Sequence, residues 1–457
     1  MNDGPRILHV STSTELGGVA EVVRSELPYL AELGWRTQWV LAHALDAAHD
    51  AAFVLHNGLY GARSGDFPEE RVRHGVGHFL AANEAAVVAA ARDADVVVLH
   101  DPLVLTLATA VRAVAPRIAW RCHVGSENLA TVDRNAIEFL RPQLDVVDHL
   151  LFSDAGQVWP GWRDDGRTVV VPPGIDPRSW KNRDLPDDLV GELWSSLHAA
   201  RGCSLARVTG EEDARILVDD FGTGGLRHPD APFVLQVSRW DPLKGQLGVL
   251  KSFARLAADD PDTELVLVGP HIDDRQNYPM NRAIWQDLMD FWAKLRPRTR
   301  DRVHIWRFGP VQRTGEDLAL NLLRGRARTV VQNSSRESFG LTVSEALWKG
   351  AVVVGADTDG IRAQIRHDVN GLLTPYTEGD GPWPRTVLRS LTDEEGRARW
   401  SAAARASVEE HHLSRLGVLR QVAAYEGATD PARERVRPAP SADGAAPAAL
   451  VPPAPPS

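Results

Sequence analysis

Cysteine is nearly absent: Cys122 and Cys203 are the only two in 457 residues. That scarcity excludes a disulfide framework and any cysteine-rich metal site, and it fits a reducing compartment. Apolar runs of membrane-spanning length are also lacking. The richest stretch, 96–115, is interrupted by His100, Asp101, Pro102 and Arg112, so it reads as strand, loop and helix rather than a span. The opening Met-Asn-Asp-Gly-Pro leads straight into strand-like residues 6–10 without the charged and apolar regions of a signal peptide. A cytoplasmic location is therefore expected. An excess of positive charge is missing too: 51 basic residues against 61 acidic ones give a net charge of −10. That balance argues against a nucleic-acid binder, whose phosphate contacts need a basic face, but it leaves room for a local basic pocket.

What is present is an ordinary globular composition, 43% hydrophobic and 25% charged, in a chain too long for one compact core. Two domains are expected. Short β-branched runs at 7–10, 37–41, 96–99, 118–122, 149–152 and 168–171 alternate with helical patterns such as 19–33 and 132–144, as in strands feeding crossover helices of a parallel sheet. Pro28 should kink the first of these helices. The alternation restarts at 233–237 and continues through 264–268, 303–306, 329–331 and 351–354. The expectation is an α/β protein of two Rossmann-like halves, 1–175 and 176–427. Pro172-Pro-Gly-Ile-Asp176 forms the hinge, since two prolines and a glycine continue neither strand nor helix. Residues 181–232 mix a helical piece with Gly-, Asp- and Pro-rich turns and suggest no role. Residues 394–422 are strongly helical and close the chain against one half or the other, and 428–457 is a Pro/Ala-rich tail, disordered by composition.

Chemistry concentrates at strand ends. In Arg336-Glu-Ser-Phe-Gly-Leu-Thr-Val-Ser-Glu345, two carboxylates stand eight residues apart. A short helix should run from Gly340 to Lys349, stopped by Gly350. The unpaired N–H groups of Phe339, Gly340 and Leu341 at its start can receive phosphate oxygens or sugar hydroxyls, and Glu345 can accept vicinal hydroxyls. The alternative is a plain helix start with a surface acid at each end. Arg239 and Lys244 follow the first strand of the second half, where ligands of open α/β sheets bind. There the two cations meet a diphosphate, or else decorate a solvated loop. Gly17-Gly18 opens a helix and lets backbone approach a ligand closely, or makes only a tight turn. His123, at the end of another strand, is either a sugar contact or a structural histidine tied to a neighbouring loop, and the same two readings hold for His100-Asp101-Pro102. Asp357-Thr-Asp359 has the Asp-x-Asp form that holds a divalent cation in many sugar transferases. With Arg239 and Lys244 available to neutralise phosphate, a solvated loop is preferred and no metal is expected.

Read together, Gly17-Gly-Val-Ala20, His56-Asn-Gly58, His100-Asp-Pro102, Trp120-Arg-Cys-His123, Pro172-Pro-Gly-Ile-Asp-Pro177, Gln236-Val-Ser-Arg-Trp-Asp-Pro-Leu-Lys-Gly245 and the Glu337/Glu345 segment resemble the retaining glycosyltransferases of family 4. These have the GT-B class fold, two Rossmann-like domains facing across a cleft. Within that family the likeness is to the trehalose glycosyltransferring synthases, and it spans 6 to about 425.

The resemblance implies transfer of a hexosyl group, glucosyl by preference, from a nucleoside diphosphate sugar to a sugar-like acceptor, with glucose giving trehalose as the favoured case. It implies that Arg239 and Lys244 hold the diphosphate, Glu345 the ribose, and Glu337 with the amides of Phe339, Gly340 and Leu341 the transferred sugar. His123 would touch that sugar from the other half, Gly17 and Gly18 would approach the diphosphate and acceptor, and His100 and Asp101 would lie on the acceptor side. No cofactor is implied; the partners are the donor, the acceptor and a second copy of the chain in a homodimer. A retaining trehalose phosphorylase and a non-catalytic sugar-nucleotide-binding protein are the competing expectations. Ser338 stands where the resemblance leads one to expect glycine, Asp357-Thr-Asp-Gly360 replaces a more glycine-rich loop, and 181–232 differs from the synthases, departures that bear on the choice of acceptor.

Overall fold

The computed structural model describes residues 4–13, 17–45, 47–61, 65–210, 212, 214–220, 222–271, 279–308 and 313–427. The tail expected to be disordered, 428–457, lies outside the described residues. Strands β1 (Arg6–Ser11), β2 (Arg36–Leu41), β3 (Val96–His100), β4 (Ile118–Cys122), β5 (His149–Phe152) and β6 (Thr168–Val170) pair in the order β2-β1-β3-β4-β5-β6, all parallel. The central strands are covered on both faces, which is why Val96-Val-Val-Leu reads as an unbroken apolar run, whereas the edge strand β2 is largely solvated. The helix Gly18–Glu32 continues through Pro28.

The second half repeats the plan. After β7 (Cys203–Ser204), β8 (Arg215–Ile216) and β9 (Val218–Asp219) come β10 (Phe233–Val237), β11 (Glu264–Gly269), β12 (Val303–Phe308), β13 (Thr329–Gln332), β14 (Val353–Ala356) and β15 (Leu372–Thr374). Their order is β15-β14-β13-β10-β11-β12-β9, parallel except for β9. The segment left without a role by sequence thus supplies the helix Asp187–Leu197, the small antiparallel pair β7-β8, and β9 as an antiparallel edge. Strand β14 begins two residues later than its apolar run. The N–H groups of Gly350 and Ala351 first bond back to Leu347 and Ala346 of the preceding helix, completing a C-cap before the chain can extend.

In each sheet the strand order reverses beside the first strand, between β1 and β3 and between β10 and β13. Such switch points open a crevice outside the carboxyl ends of the strands, and the sequence motifs lie at those ends. The chain crosses between halves twice. Ile175 N–H donates to His412 O at 2.9 Å and Ser414 N–H to Ile175 O at 3.0 Å, which ties the expected hinge to the returning strand of chain. The last helix, Ser414–Tyr425, then packs on the first sheet, burying Val418, Val422 and Tyr425 against Ile7, Val96, Val98 and Ala119.

Candidate functional site

The second half contributes one wall at its switch point. After β10 the chain passes Arg239 and turns through Pro242–Lys244 into Gly245, whose φ is +60°. A side chain there would be strained and would place a Cβ 2.4 Å from Asn333 O, so only glycine allows the β10 loop to lie against the end of β13. That approach brings Lys244 Nζ within 2.5 Å of Glu337 Oε2, with both side chains largely buried. Ser334 Oγ donates to the same carboxylate oxygen at 3.0 Å. Arg239 is 61% exposed and paired with Asp241 at 3.1 Å. The short helix is Leu341–Trp348, preceded by Gly340 at φ +85°. The N–H groups of Phe339, Gly340 and Leu341 make no hydrogen bond to another described residue. Donors without acceptors at a helix start, beside a lysine and a carboxylate, form a surface able to hold phosphate and sugar oxygens.

The first half supplies the facing wall. His56 and Tyr60, one turn apart on and just after the helix Ala47–Leu59, stack edge to face at 5.5 Å between centroids. Burial, reinforced by the Arg239 charge, lowers the His56 pKa to about 4; burial and the Glu337 charge raise that of Tyr60. Sequence reasoning used His56 only as part of a motif and missed Tyr60; their i, i+4 spacing was the available signal. His123 follows β4 and is partly exposed. Gly17 has φ +98°, and a Cβ at Gly17 or Gly18 would meet nothing within 4 Å, so the turn borders open space. His100 cannot serve as an acceptor contact: it is fully buried, and both ring nitrogens are engaged by other histidines, at 3.0 and 2.8 Å. It stands behind His123. Asp101 has the strained φ of +70°; burial lifts its pKa to about 7 against the opposing pull of the His123 backbone N–H.

The halves meet directly. Gly125 N–H donates to Ser338 Oγ at 3.0 Å, Ser338 Oγ donates to Gly125 O at 3.2 Å, and Gln157 Nε2 donates to Ser338 O at 2.5 Å. Ser126 Oγ and Glu127 N–H both donate to Asp359 Oδ2, at 2.9 and 3.1 Å, while Asp357 pairs with Arg362. The two aspartates thus face different partners, and among the described residues no group of three or more His, Cys, Asp or Glu is placed to hold a metal ion.

Glu345 is also buried. It is ion-paired with Arg324 and lies 3.3 Å from Lys181 Nζ. Lys181 in turn reaches Glu21 of the first half at 3.5 Å and Asp317 at 3.9 Å. Burial opposes its charge, but Glu345, Glu21 and Asp317 outweigh burial and raise its pKa. A cavity of about 200 Å³ opens beside this cluster, lined by Glu21, Asp176, Arg313, Asp317, Leu341 and Glu345. Lys181 lies in the stretch with no readable pattern, so sequence reasoning missed it. A larger open groove of about 540 Å³ runs along Trp194, Phe233 and Arg328, at the amino ends of β10 and β13 and away from these motifs.

Two parallel sheets with switch-point loops facing across a polar crevice make the fold of the GT-B class, shared with solved structures of low sequence identity. Residues 9–158 match the family described as trehalose synthase, N-terminal domain, and 310–407 match glycosyl transferases group 1. The chain is thus similar to trehalose synthases in its first half and to group 1 glycosyl transferases in its second. It is 29% identical over 366 residues to a trehalose synthase of Rubrobacter xylanophilus, covering 79% of this chain and 77% of the relative. It is 30% identical over 209 residues to a trehalose phosphorylase of Grifola frondosa, covering 44% of this chain and 26% of the relative. A UDP-forming α,α-trehalose-phosphate synthase from Burkholderia xenovorans, solved with glucose-6-phosphate, superposes with a TM-score of 0.67 at 15% identity over 92% of this chain and 100% of that one, a likeness of fold. No helix among the described residues is long and apolar enough to cross a membrane.

Proposed function

We propose that this chain transfers a hexosyl group, glucosyl by preference, from a nucleoside diphosphate sugar to a sugar-like acceptor with retention of anomeric configuration, and that the acceptor is glucose, giving trehalose. The observation that carries the reading is the meeting of Lys244 and Glu337 beside the free N–H groups of Phe339, Gly340 and Leu341 at a switch point. Lys244 and Arg239 offset the charge that builds on the departing diphosphate. Glu337 and the three amides orient the sugar, and His123 meets it from the other half. The acceptor hydroxyl attacks the anomeric carbon on the face the diphosphate leaves. The C1–O bond to phosphate breaks, the new glycosidic bond forms, and the hydroxyl proton passes to the departing phosphate oxygen. No protein nucleophile takes part; the protein supplies near-attack geometry and a closed seam that keeps water out.

Product analysis with a panel of nucleotide sugars and acceptors, with and without chelator, tests this reading. Trehalose from glucose and one nucleotide sugar, undiminished by chelator, is expected. Activity abolished by chelation and restored by a divalent ion would make Asp357 and Asp359 ligands instead. The phosphorylase relative favours a second reading, in which inorganic phosphate replaces the nucleotide. Glucose 1-phosphate formed from trehalose with phosphate, and no transfer to a nucleoside diphosphate, would establish it in place of the first.

A further inference from the structure

Three histidines of the first sheet form a chain, of which the reaction above uses only His123. Side chains alternate across a strand. The register that sets His9 opposite Val98 and His100 opposite Arg121 therefore places His9, His100, Arg121 and His123 on one face at the carboxyl ends of β1, β3 and β4. His9 Nδ1 lies 3.0 Å from His100 Nε2, and His100 Nδ1 lies 2.8 Å from His123 Nε2. His9 and His100 are fully buried. Only Nδ1 of His123 remains outside the chain at the cleft end.

A neutral imidazole carries one proton, and each nitrogen-to-nitrogen contact holds one. Burial, reinforced by the Arg121 charge, keeps His9 neutral with a pKa near 3. Burial first, then the neighbouring charges, holds His100 and His123 well below the usual histidine value. Three neutral rings share three protons, two of which sit in the contacts. The third belongs at one end: on His9 Nε2, which is buried with no partner among the described residues, or on His123 Nδ1. A buried N–H without an acceptor is rarer than an unused lone pair, so His9 Nε2 is the bare end.

We propose that His100, backed by His9, is a positioning residue that fixes His123 in the Nδ1–H tautomer and so presents a hydrogen-bond donor to the bound sugar. The donor's encounter with a sugar rests on the function proposed above; the tautomer does not. An N–H at this point donates to a hydroxyl oxygen and finds no acceptor on a protonated amine, so the arrangement selects neutral hexosyl groups over amino sugars.

The test uses the full chain with ring-15N histidine, His123 being assigned through His123→Gln. Protonated Nδ1 and bare Nε2 on His123 are expected in the unsubstituted protein. In His100→Asp an acceptor replaces the N–H that faces Nε2, so His123 goes over to Nε2–H, and kcat falls roughly tenfold, about the worth of one hydrogen bond. His100→Asn places an amide near the former Nδ1 and keeps most of the rate. An Nε2–H tautomer of His123 in the unsubstituted protein overturns the proposal even if His100→Asp fails to fold, and so does an unchanged tautomer in a folded His100→Asp. A switched tautomer with unchanged transfer upholds the lock and overturns the sugar contact instead.

Discussion

Lys244 Nζ lies 2.5 Å from Glu337 Oε2, although the two residues are 93 positions apart and leave the ends of different strands. The pair joins a cation suited to phosphate to a carboxylate suited to sugar hydroxyls, so each holds the other in place before a donor arrives. Lys244→Ala and Glu337→Ala are each expected to lower kcat/KM by about 10²–10³, with circular dichroism showing the fold intact. Full turnover in both variants would remove the pair from the mechanism.

Ser338 carries a different prediction. Its hydroxyl both accepts from and donates to Gly125 of the other half, so it clasps the seam. Ser338→Gly loses two hydrogen bonds, on the order of 1–2 kcal/mol of closure. Faster amide exchange around 125–127 and a higher ratio of donor hydrolysis to transfer are expected. Identical exchange in both proteins would mean that the clasp does not hold the halves together.

The charge cluster beside Glu345 makes stability depend on pH. Burial raises the Asp317 pKa from 3.8 to about 6; Lys181 and Arg313 oppose that shift, while Glu21 and Glu316 add to it. Between those values the folded chain keeps a proton that the unfolded chain releases. Stability therefore falls as pH rises from about 4 to 6 and levels off above, by an amount on the order of 3 kcal/mol for this group. Asp317→Asn should flatten that part of the curve of thermal midpoint against pH. Parallel curves for the two proteins would show that Asp317 titrates normally.

Much of the site was legible before folding because its residues sit at punctuation. Gly17, Gly245 and Gly340 all have positive φ, and Arg239, Lys244, Glu337 and His123 all follow apolar strand runs whose ends must face the cleft. The failures have physical causes as well. His100 stands at a strand end like His123, but it is the last residue within β3 while His123 lies just past β4, and His9 and His123 close over both of its ring nitrogens. Lys181 and Arg324 were missed because the spacing of Glu337 and Glu345 says nothing of cations that arrive from elsewhere in the chain to hold Glu345 beside a cavity.

By itself the sequence determined the alternation of strands and helices, the two parallel sheets and the loops that carry chemistry, because periodicity and turn residues act over a few positions. Only the tertiary structure decided which of those loops meet, that 181–232 adds an edge strand and a bridging lysine, and that His9, His100 and His123 join into one chain. Those outcomes depend on strand order and register, which bring together residues whose separation along the chain carries no local signal.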